Sequence, residues 1–233
     1  MKGKLRLLVV EDEPAIRAGL VDVFVYHGFD VESAATGSEG LQKSLSGTFD
    51  LILLDVMLPG IDGFDICNRI RAQDRDQPII MLTARSSDEE IIRGLSLGAD
   101  DYVAKPFSVA QLVLRVQAVL RRVRPLADAA ERIRIGGHLE IDAPNLAGTL
   151  NGEPVAFTRR EIEILRYLRD HAGRPVPREE LLNKVWGYAR TAELETRTVD
   201  IHIAKLRRKI EPDPARPAYL LTVRGAGYRL AVE

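Results

Sequence analysis

Leu51 to Gly63, LILLDVMLPGIDG, is the stretch from which the rest of the chain is read. Leu51, Ile52, Leu53 and Leu54 are apolar without a break, which suits a short strand buried on both faces of a parallel sheet. The run ends on an acid, Asp55, and Pro59 and Gly60 then turn the chain. In open α/β sheets the carboxyl ends of the strands form the crevice where ligands sit, so this carboxylate is delivered to the usual place of chemistry. Alone, an Asp after a strand merely opens a turn. Its meaning depends on what the neighbouring strands bring to the same edge.

Around that stretch, strands and helices alternate. Leu5 to Val10 reads as a strand, and Pro14 opens a helix that runs to about Tyr26. Asp30 to Ala35 is a second strand, with a helix stopping at Gly47, and Phe49 to Leu54 is the third. A helix from about Gly63 to Ala72 leads to the strand IIMLT, Ile79 to Thr83. A helix near Ser87 to Leu97, the short strand DYVA from Asp101, and a final helix from Ser108 to about Arg121 complete the set. Five alternations predict a flavodoxin-like, doubly wound α/β domain: a parallel five-stranded sheet wrapped by helices on both faces.

The strand ends then carry a pattern. The first strand runs into Glu11 and Asp12, the third into Asp55, the fourth into Thr83, and the fifth into Lys105 and Pro106. Three carboxylates at one edge repel, so the site calls for a divalent cation, and oxygen ligands with room for water and a phosphate favour Mg²⁺. Metal and Lys105 together would neutralise a phosphoryl group, with Asp55 as its nucleophile and Thr83 donating a hydroxyl hydrogen bond to it. Each residue has a plain structural reading: strand-end acids cap helices, Thr fills turns and Lys sits at the surface. Their convergence on one edge favours the chemical reading. A phosphatase of the haloacid dehalogenase type also uses a strand-end Asp with Mg²⁺, but it needs a second Asp two residues on as general acid. Met57 stands there instead.

Composition sets the outer limits. A chain of 233 residues with 45% hydrophobic content favours one large or two ordinary domains with packed cores. No apolar run approaches the roughly 18 residues of a membrane span. The amino terminus meets Glu11, Asp12 and Glu13 after a short apolar run, so secretion is not expected and the cytoplasm is the default location. The one cysteine, Cys67, cannot pair within the chain and reads as a buried small side chain. Residues 1–121 hold 13 basic against 18 acidic residues and residues 122–233 hold 20 against 16, which hints at a polyanionic partner for the second half.

Residues 122–131, polar and charged, read as a linker. Short strand candidates follow, RIRI, HLEID, NLAGTL and EPVAF, separated by Gly-Gly, Pro-Asn and Asn-Gly turn signals. Thr158 and Glu161 form a capping box ahead of a helix whose apolar positions include Ile162, Leu165 and Leu168, ending at Gly173. Pro177 starts another, with Trp186 in its core face and Gly187 closing it. A third helix, about Glu195 to Ile210, buries Val199, Ile203, Leu206 and Ile210 as one stripe. Thr198, His202, Lys205 and Lys209 form a second stripe about a quarter turn away. With Arg197, Arg207 and Arg208 against the single acid Asp200 between positions 197 and 209, the helix suits phosphates in a major groove. The strands YLLTV and YRLAV follow, joined through Arg224-Gly225-Ala226-Gly227, a hairpin able to reach an adjacent groove.

Two resemblances rest on these residues. Glu11-Asp12, Asp55 within LLDVMLPGIDG, Thr83-Ala84 and Lys105-Pro106-Phe107 resemble the receiver domain of a two-component response regulator, over residues 5–121. RTVDIHIAKLRRKIE followed by LLTVRGAGYRL resembles the winged helix-turn-helix effector of the OmpR/PhoB subfamily, over about residues 132–232. The first implies that Asp55 is the phosphoacceptor, that Glu11 and Asp12 hold Mg²⁺ with the main-chain carbonyl of Met57, and that Thr83 and Tyr102 are the switch pair. It also implies a cis Lys105-Pro106 bond. The second implies that Lys205 reads a base, that Arg197, Thr198, His202 and Arg207 lie against DNA, and that Arg224 is the wing residue. Together they imply domains at 1–121 and 132–233, a sensor histidine kinase as phosphodonor, promoter DNA in direct repeats, RNA polymerase as partner, and no enzymatic role. They further imply a homodimer on phosphorylation, through the face built by the 87–97 helix, the DYVA strand and the last receiver helix. Ile92, Leu95 and Val113 would supply its apolar patch, extended by Ile91, and Asp101 and Arg115 its remaining charges, while Ile91, Ser96, Gln111 and Gln117 stand where charged partners are usual in that subfamily. A phosphorylation-independent DNA-binding protein with a vestigial receiver is the alternative.

Overall fold

A computed structural model describes residues 4–46, 48–84, 94, 97–120, 132–187 and 196–231. The chain divides into two units, residues 1–123 and 124–233. In the first, the order is β1 (Arg6–Val10), α1 (Pro14–Tyr26), β2 (Asp30–Ala34), α2 (Gly37–Ser44), β3 (Leu51–Asp55), α3 (Gly63–Gln73), β4 (Ile79–Thr83), β5 (Asp101–Ala104) and α4 (Val109–Leu120). The strands are all parallel in the order β2-β1-β3-β4-β5. Continuous apolar runs in β1, β3 and β4 are buried on both faces, whereas the edge strand β2, DVESA, is mostly half-buried. Leu7, Val9, Leu51, Leu53, Ile80 and Leu82 meet Leu20 and Phe24 of α1 and Leu112 and Val116 of α4 in one core.

The order reverses between β1 and β3, and that is where open α/β sheets bind ligands. Their register, Leu7 with Leu51 through Val10 with Leu54, brings the residues after Val10 beside Asp55. Gly63 allows the chain to close over this point. A Cβ there would stand 2.2 Å from the carbonyl oxygen of Asp55, so only glycine lets α3 start so close to the site. Cys67 is fully buried on α3.

The second unit opens with an antiparallel sheet of β6 (Arg132–Ile135), β7 (Leu139–Asp142), β8 (Ala147–Leu150) and β9 (Glu153–Ala156), paired in sequence order. Helices α5 (Arg159–Asp170), α6 (Arg178–Leu181, continued by a π-helical turn over Leu182–Trp186) and α7 (Thr196–Ile210) follow, then the hairpin β10 (Leu220–Val223) and β11 (Gly227–Leu230). Both halves of the Thr158–Glu161 capping box form. Helix α5 stops three residues before Gly173, where a ring nitrogen of His171 pairs with the carbonyl of Tyr167 in the last turn. Ile141, Phe157, Ile162, Leu165, Trp186, Val199, Ile203, Leu206 and Leu230 share one core. The hairpin is fastened by a bridge between Val176 and Tyr228, and a Cβ on Gly227 would fall 2.0 Å from the Val176 oxygen.

Candidate phosphoacceptor site and nucleic-acid interface

Three carboxylates converge at the carboxyl edge of β1 and β3. Glu11 and Asp55 are buried, Asp12 is exposed, and their oxygens lie within 4.8 Å of one another. Lys105 reaches across from β5 to place Nζ 2.7 Å from Glu11 Oε2 and 2.8 Å from Asp55 Oδ2. Burial pushes the Glu11 carboxyl above its usual range, with the Asp55 charge adding to this and Lys105 opposing it. Burial alone would pull the Lys105 ammonium down, but the two acids outweigh it and hold it above the ordinary value. The backbone N–H of Met57 donates to Asp55 Oδ1 at 3.1 Å, which orients the carboxylate. The Lys105–Pro106 bond is cis. This donor set, hard carboxylate oxygens with one side open to solvent, fits Mg²⁺.

Arg17 also belongs to the site, although no sequence pattern singles it out. From the first turns of α1 it donates to the backbone carbonyls of Glu11 at 2.7 Å and Asp12 at 2.9 Å, fixing the loop that carries the acidic pair. The contacts run to main chain, so nothing in the partner side chains signals them.

Thr83 is fully buried at the end of β4, one residue beyond Leu82, which pairs with Asp55. Tyr102 is buried on β5 in register with Met81. Of the expected dimer face, Ile91, Ile92, Leu95 and Ser96 lie outside the described residues, as does the 122–131 linker. Two of its members need correction. Val113 is buried in the receiver core, since it points toward the sheet, and it cannot extend an exposed patch. Asp101 is buried and bonded to Arg115 at 2.9 Å within the same chain, so this pair is an internal tie between β5 and α4.

On helix α7 two of the residues expected against DNA, Thr198 and His202, are buried. His202 is 1% exposed, with its ring edge-on to Trp186 at 5.2 Å, and Thr198 is buried beside it in the same stripe. A buried imidazole is not offered to a phosphate, and the same holds for the Thr198 side chain. Lys205, 11% exposed, directs its ammonium to Glu161 of α5 at 3.1 Å, and Lys209 reaches the other Glu161 oxygen at 2.6 Å. Arg207 donates to the Leu220 carbonyl and the Thr222 hydroxyl of β10, so it fastens the hairpin to the helix. In this structure that stripe packs on α5 and Trp186. The open flank is the other one: at about 100° per residue Ala204 and Arg208, both exposed, lie there with half-buried Asp200. Asp200 is bonded to Arg178 at 2.6 Å and to the Tyr228 hydroxyl at 2.5 Å. Arg224 is exposed at the hairpin tip. The side chain of Arg197 lies outside the described residues.

Comparison with known proteins decides the kinship. Residues 7–117 match the model of the response regulator receiver domain, and residues 152–230 that of the transcriptional regulatory protein C terminal. The chain is 39% identical over 226 residues to the sensory transduction protein RegX3 of Mycolicibacterium smegmatis, covering 96% of this chain and 98% of that protein. It is 42% identical over 224 residues to the DNA-binding response regulator MtrA of the same organism, covering 96% of each. The solved structure of response regulator DrrB, a Thermotoga maritima OmpR/PhoB homolog, superposes with a TM-score of 0.52 at 34% identity, covering 98% of this chain and all of that one. The chain belongs to the OmpR/PhoB family of response regulators. It is a DNA-binding regulator of the two-component type, with a parallel α/β receiver unit and a winged-helix unit that carries antiparallel sheets. No helix among the described residues is long and apolar enough to cross a membrane.

One further residue holds the winged-helix unit of this OmpR/PhoB regulator together. Glu211, just past α7, is buried, and its carboxylate accepts the backbone N–H groups of Ala218, Tyr219 and Leu220 at 2.6–3.1 Å. It joins the end of α7 to the first strand of the hairpin. An acid between a helix end and Pro212 is the only sequence trace of this role.

Proposed function

We propose that Asp55 accepts a phosphoryl group from a sensor histidine kinase and that this event raises the DNA affinity of the winged-helix unit. The observation that carries the reading is Lys105, whose ammonium sits within hydrogen-bonding distance of both Asp55 and Glu11. Glu11, Asp12 and Asp55, with the Met57 carbonyl, would hold Mg²⁺, which when bound neutralises the charge of the incoming phosphoryl oxygens. Lys105 then retains one oxygen, and Arg17 keeps the acidic loop in place. Thr83 and Tyr102 act as the switch pair: the hydroxyl moves toward the phosphoryl group and the ring follows into the space it leaves. Phosphorylation promotes dimerisation, and the dimer binds directly repeated half-sites in promoter DNA, where it meets RNA polymerase in the cytoplasm. Residues 122–131 serve as the linker between units 1–121 and 132–233. On DNA, α7 lies along the major groove, where Lys205 reads a base, and Arg224 of the hairpin enters the adjacent groove.

Incubation with a small phosphodonor and Mg²⁺, read by intact-protein mass spectrometry, tests the first step. One hydroxylamine-labile phosphoryl group is expected, lost in Asp55→Ala and with Mg²⁺ chelated. Labelling that survives the substitution would remove the assignment. Binding-site selection from random DNA, with and without the phosphodonor, tests the second: enrichment that is indifferent to the phosphodonor would favour the vestigial-receiver alternative.

A further inference from the structure

We propose that Arg71 is a positioning residue for the Tyr102 switch: from the edge of the sheet opposite Asp55 it fastens the stretch that covers the Tyr102 ring, so that ring and stretch rearrange together when Asp55 is phosphorylated. The proposal rests on the reading of Thr83 and Tyr102 as the switch pair. Arg71 lies in the last turn of α3 and is 8% exposed. Its guanidinium donates three hydrogen bonds: Nε to the Gly98 carbonyl at 2.9 Å, Nη1 to the Asp74 carbonyl at 3.2 Å and Nη2 to Asp100 Oδ2 at 3.1 Å. The same Asp100 oxygen accepts the backbone N–H of Ile79, the first residue of β4, at 2.9 Å. The contact with Gly98 leaves no room for a side chain: φ there is +107°, and a Cβ would stand 3.1 Å from Arg71 Nε. One buried cation therefore ties the end of α3, the start of β4 and the residues that lead into β5.

Those same residues bear on Tyr102. The Ala99 N–H donates to the Gly94 carbonyl at 3.3 Å, so Gly94 is joined to the stretch that Arg71 holds. Gly94 is buried, and a Cβ there would fall 2.7 Å from Met81 Sδ, 3.2 Å from the Phe64 ring and 3.3 Å from the Tyr102 ring. The backbone at Gly94 is thus the cover of the switch aromatic. Ile79 stands three residues before Leu82, the partner of Asp55, which is about 10 Å along the strand. Arg71 therefore acts on the ring through backbone and not through the phosphoryl-binding groups. With its far end held, the cover cannot drift from the ring, and the ring turns only when the cover shifts with it. That constraint makes the switch two-state and not graded.

Full-length protein carrying fluorotyrosine gives a fluorine NMR signal for Tyr102, identified by its loss in Tyr102→Phe. Spectra are recorded in Mg²⁺ with and without a small phosphodonor, and intact-protein mass spectrometry measures the phosphoryl group. Wild type should show one Tyr102 signal that moves on phosphorylation. Two variants release the cover: Arg71→Lys keeps the charge but lacks the planar fork, and Arg71→Gln combined with Asp100→Asn removes both buried charges. In each, the Tyr102 signal should be split or broadened before the phosphodonor is added and should move less after it, at wild-type levels of phosphorylation. A role confined to stability would lower the melting temperature and leave the signal as in wild type. The wild-type signal and displacement in either folded variant overturns the proposal, and Arg71→Lys, the milder change, still decides if the pair fails to fold. Phosphorylation below the wild-type level in both variants would place the effect of Arg71 on Asp55 itself and overturns it too. If the wild-type signal stays still in phosphorylated protein, the switch reading of Tyr102 is itself wrong and the proposal falls with it. If it moves and the variants move alike, only the proposal fails.

Discussion

Glu211 and His202 show how much rests on single buried polar groups. The Glu211 carboxylate receives backbone hydrogen bonds from three successive residues, and a glutamine can satisfy only some of them while setting its own N–H groups against donors. Glu211→Gln should therefore lower the stability of the winged-helix unit by about 1–3 kcal/mol, seen as a lower urea midpoint with an unchanged slope. His202 acts through pH. Burial, reinforced by Lys205, Arg160 and Lys209, holds its ring well below the ordinary value of 6.5. The unfolded chain takes up a proton where the folded one does not, so stability is at its plateau above about pH 6.5 and falls below it, by at most about 1.4 kcal/mol per pH unit. Denaturation of wild type and His202→Gln at pH 7.5 and 5.5 checks this: the variant should lose less between the two. Equal losses would mean that the imidazole already carries its proton in the fold.

Among elements, the junction of α5 and α6 is clamped by Glu180, which accepts from Arg174 at 2.6 Å and 2.9 Å and from the Tyr167 hydroxyl at 2.6 Å. Arg174 above all holds the Glu180 carboxyl down to about 2. Burial, with Glu180, pushes the Tyr167 hydroxyl up to about 12. A depressed carboxylate contributes stability above its unfolded value of 4.5 that is lost as the pH falls toward 2. Calorimetry at pH 5 and pH 3 should show a smaller drop in Tm for Glu180→Gln than for wild type. The receiver elements were legible in advance because an apolar run, a turn signal and a strand-end acid are local features: β4 and β5 fall on IIMLT and DYVA, and the carboxylates meet because parallel strands deliver them to one edge. The face of α7 was not legible. Periodicity fixes that Thr198, His202, Lys205 and Lys209 share a flank, but which neighbour covers that flank depends on Glu161 and Trp186, distant in sequence. Charge alone does not tell that Lys205 and Lys209 face a buried acid on another helix.

At the scale of the whole molecule, the phosphorylated protein is expected to dimerise with little dependence on salt. Arg115 and Asp101 bind one another inside the chain, and Gln111 and Gln117 carry no charge, so the described residues of that face offer few charges to pair across such an interface. Sedimentation of the phosphorylated protein at low and high ionic strength measures this, and steep dissociation with added salt would show that charged pairs hold the dimer after all. Trp186 offers a way to watch the two units apart. It is the sole tryptophan of the chain, fully buried in the winged-helix unit, with the guanidinium of Arg160 5.0 Å from its ring. Excited at the red edge of protein absorption, the chain emits from that unit alone, while the receiver with its tyrosines and phenylalanines stays dark. Unlabelled protein thus carries its own optical probe, and melting of the DNA-binding half can be followed in one cuvette while the circular dichroism records both.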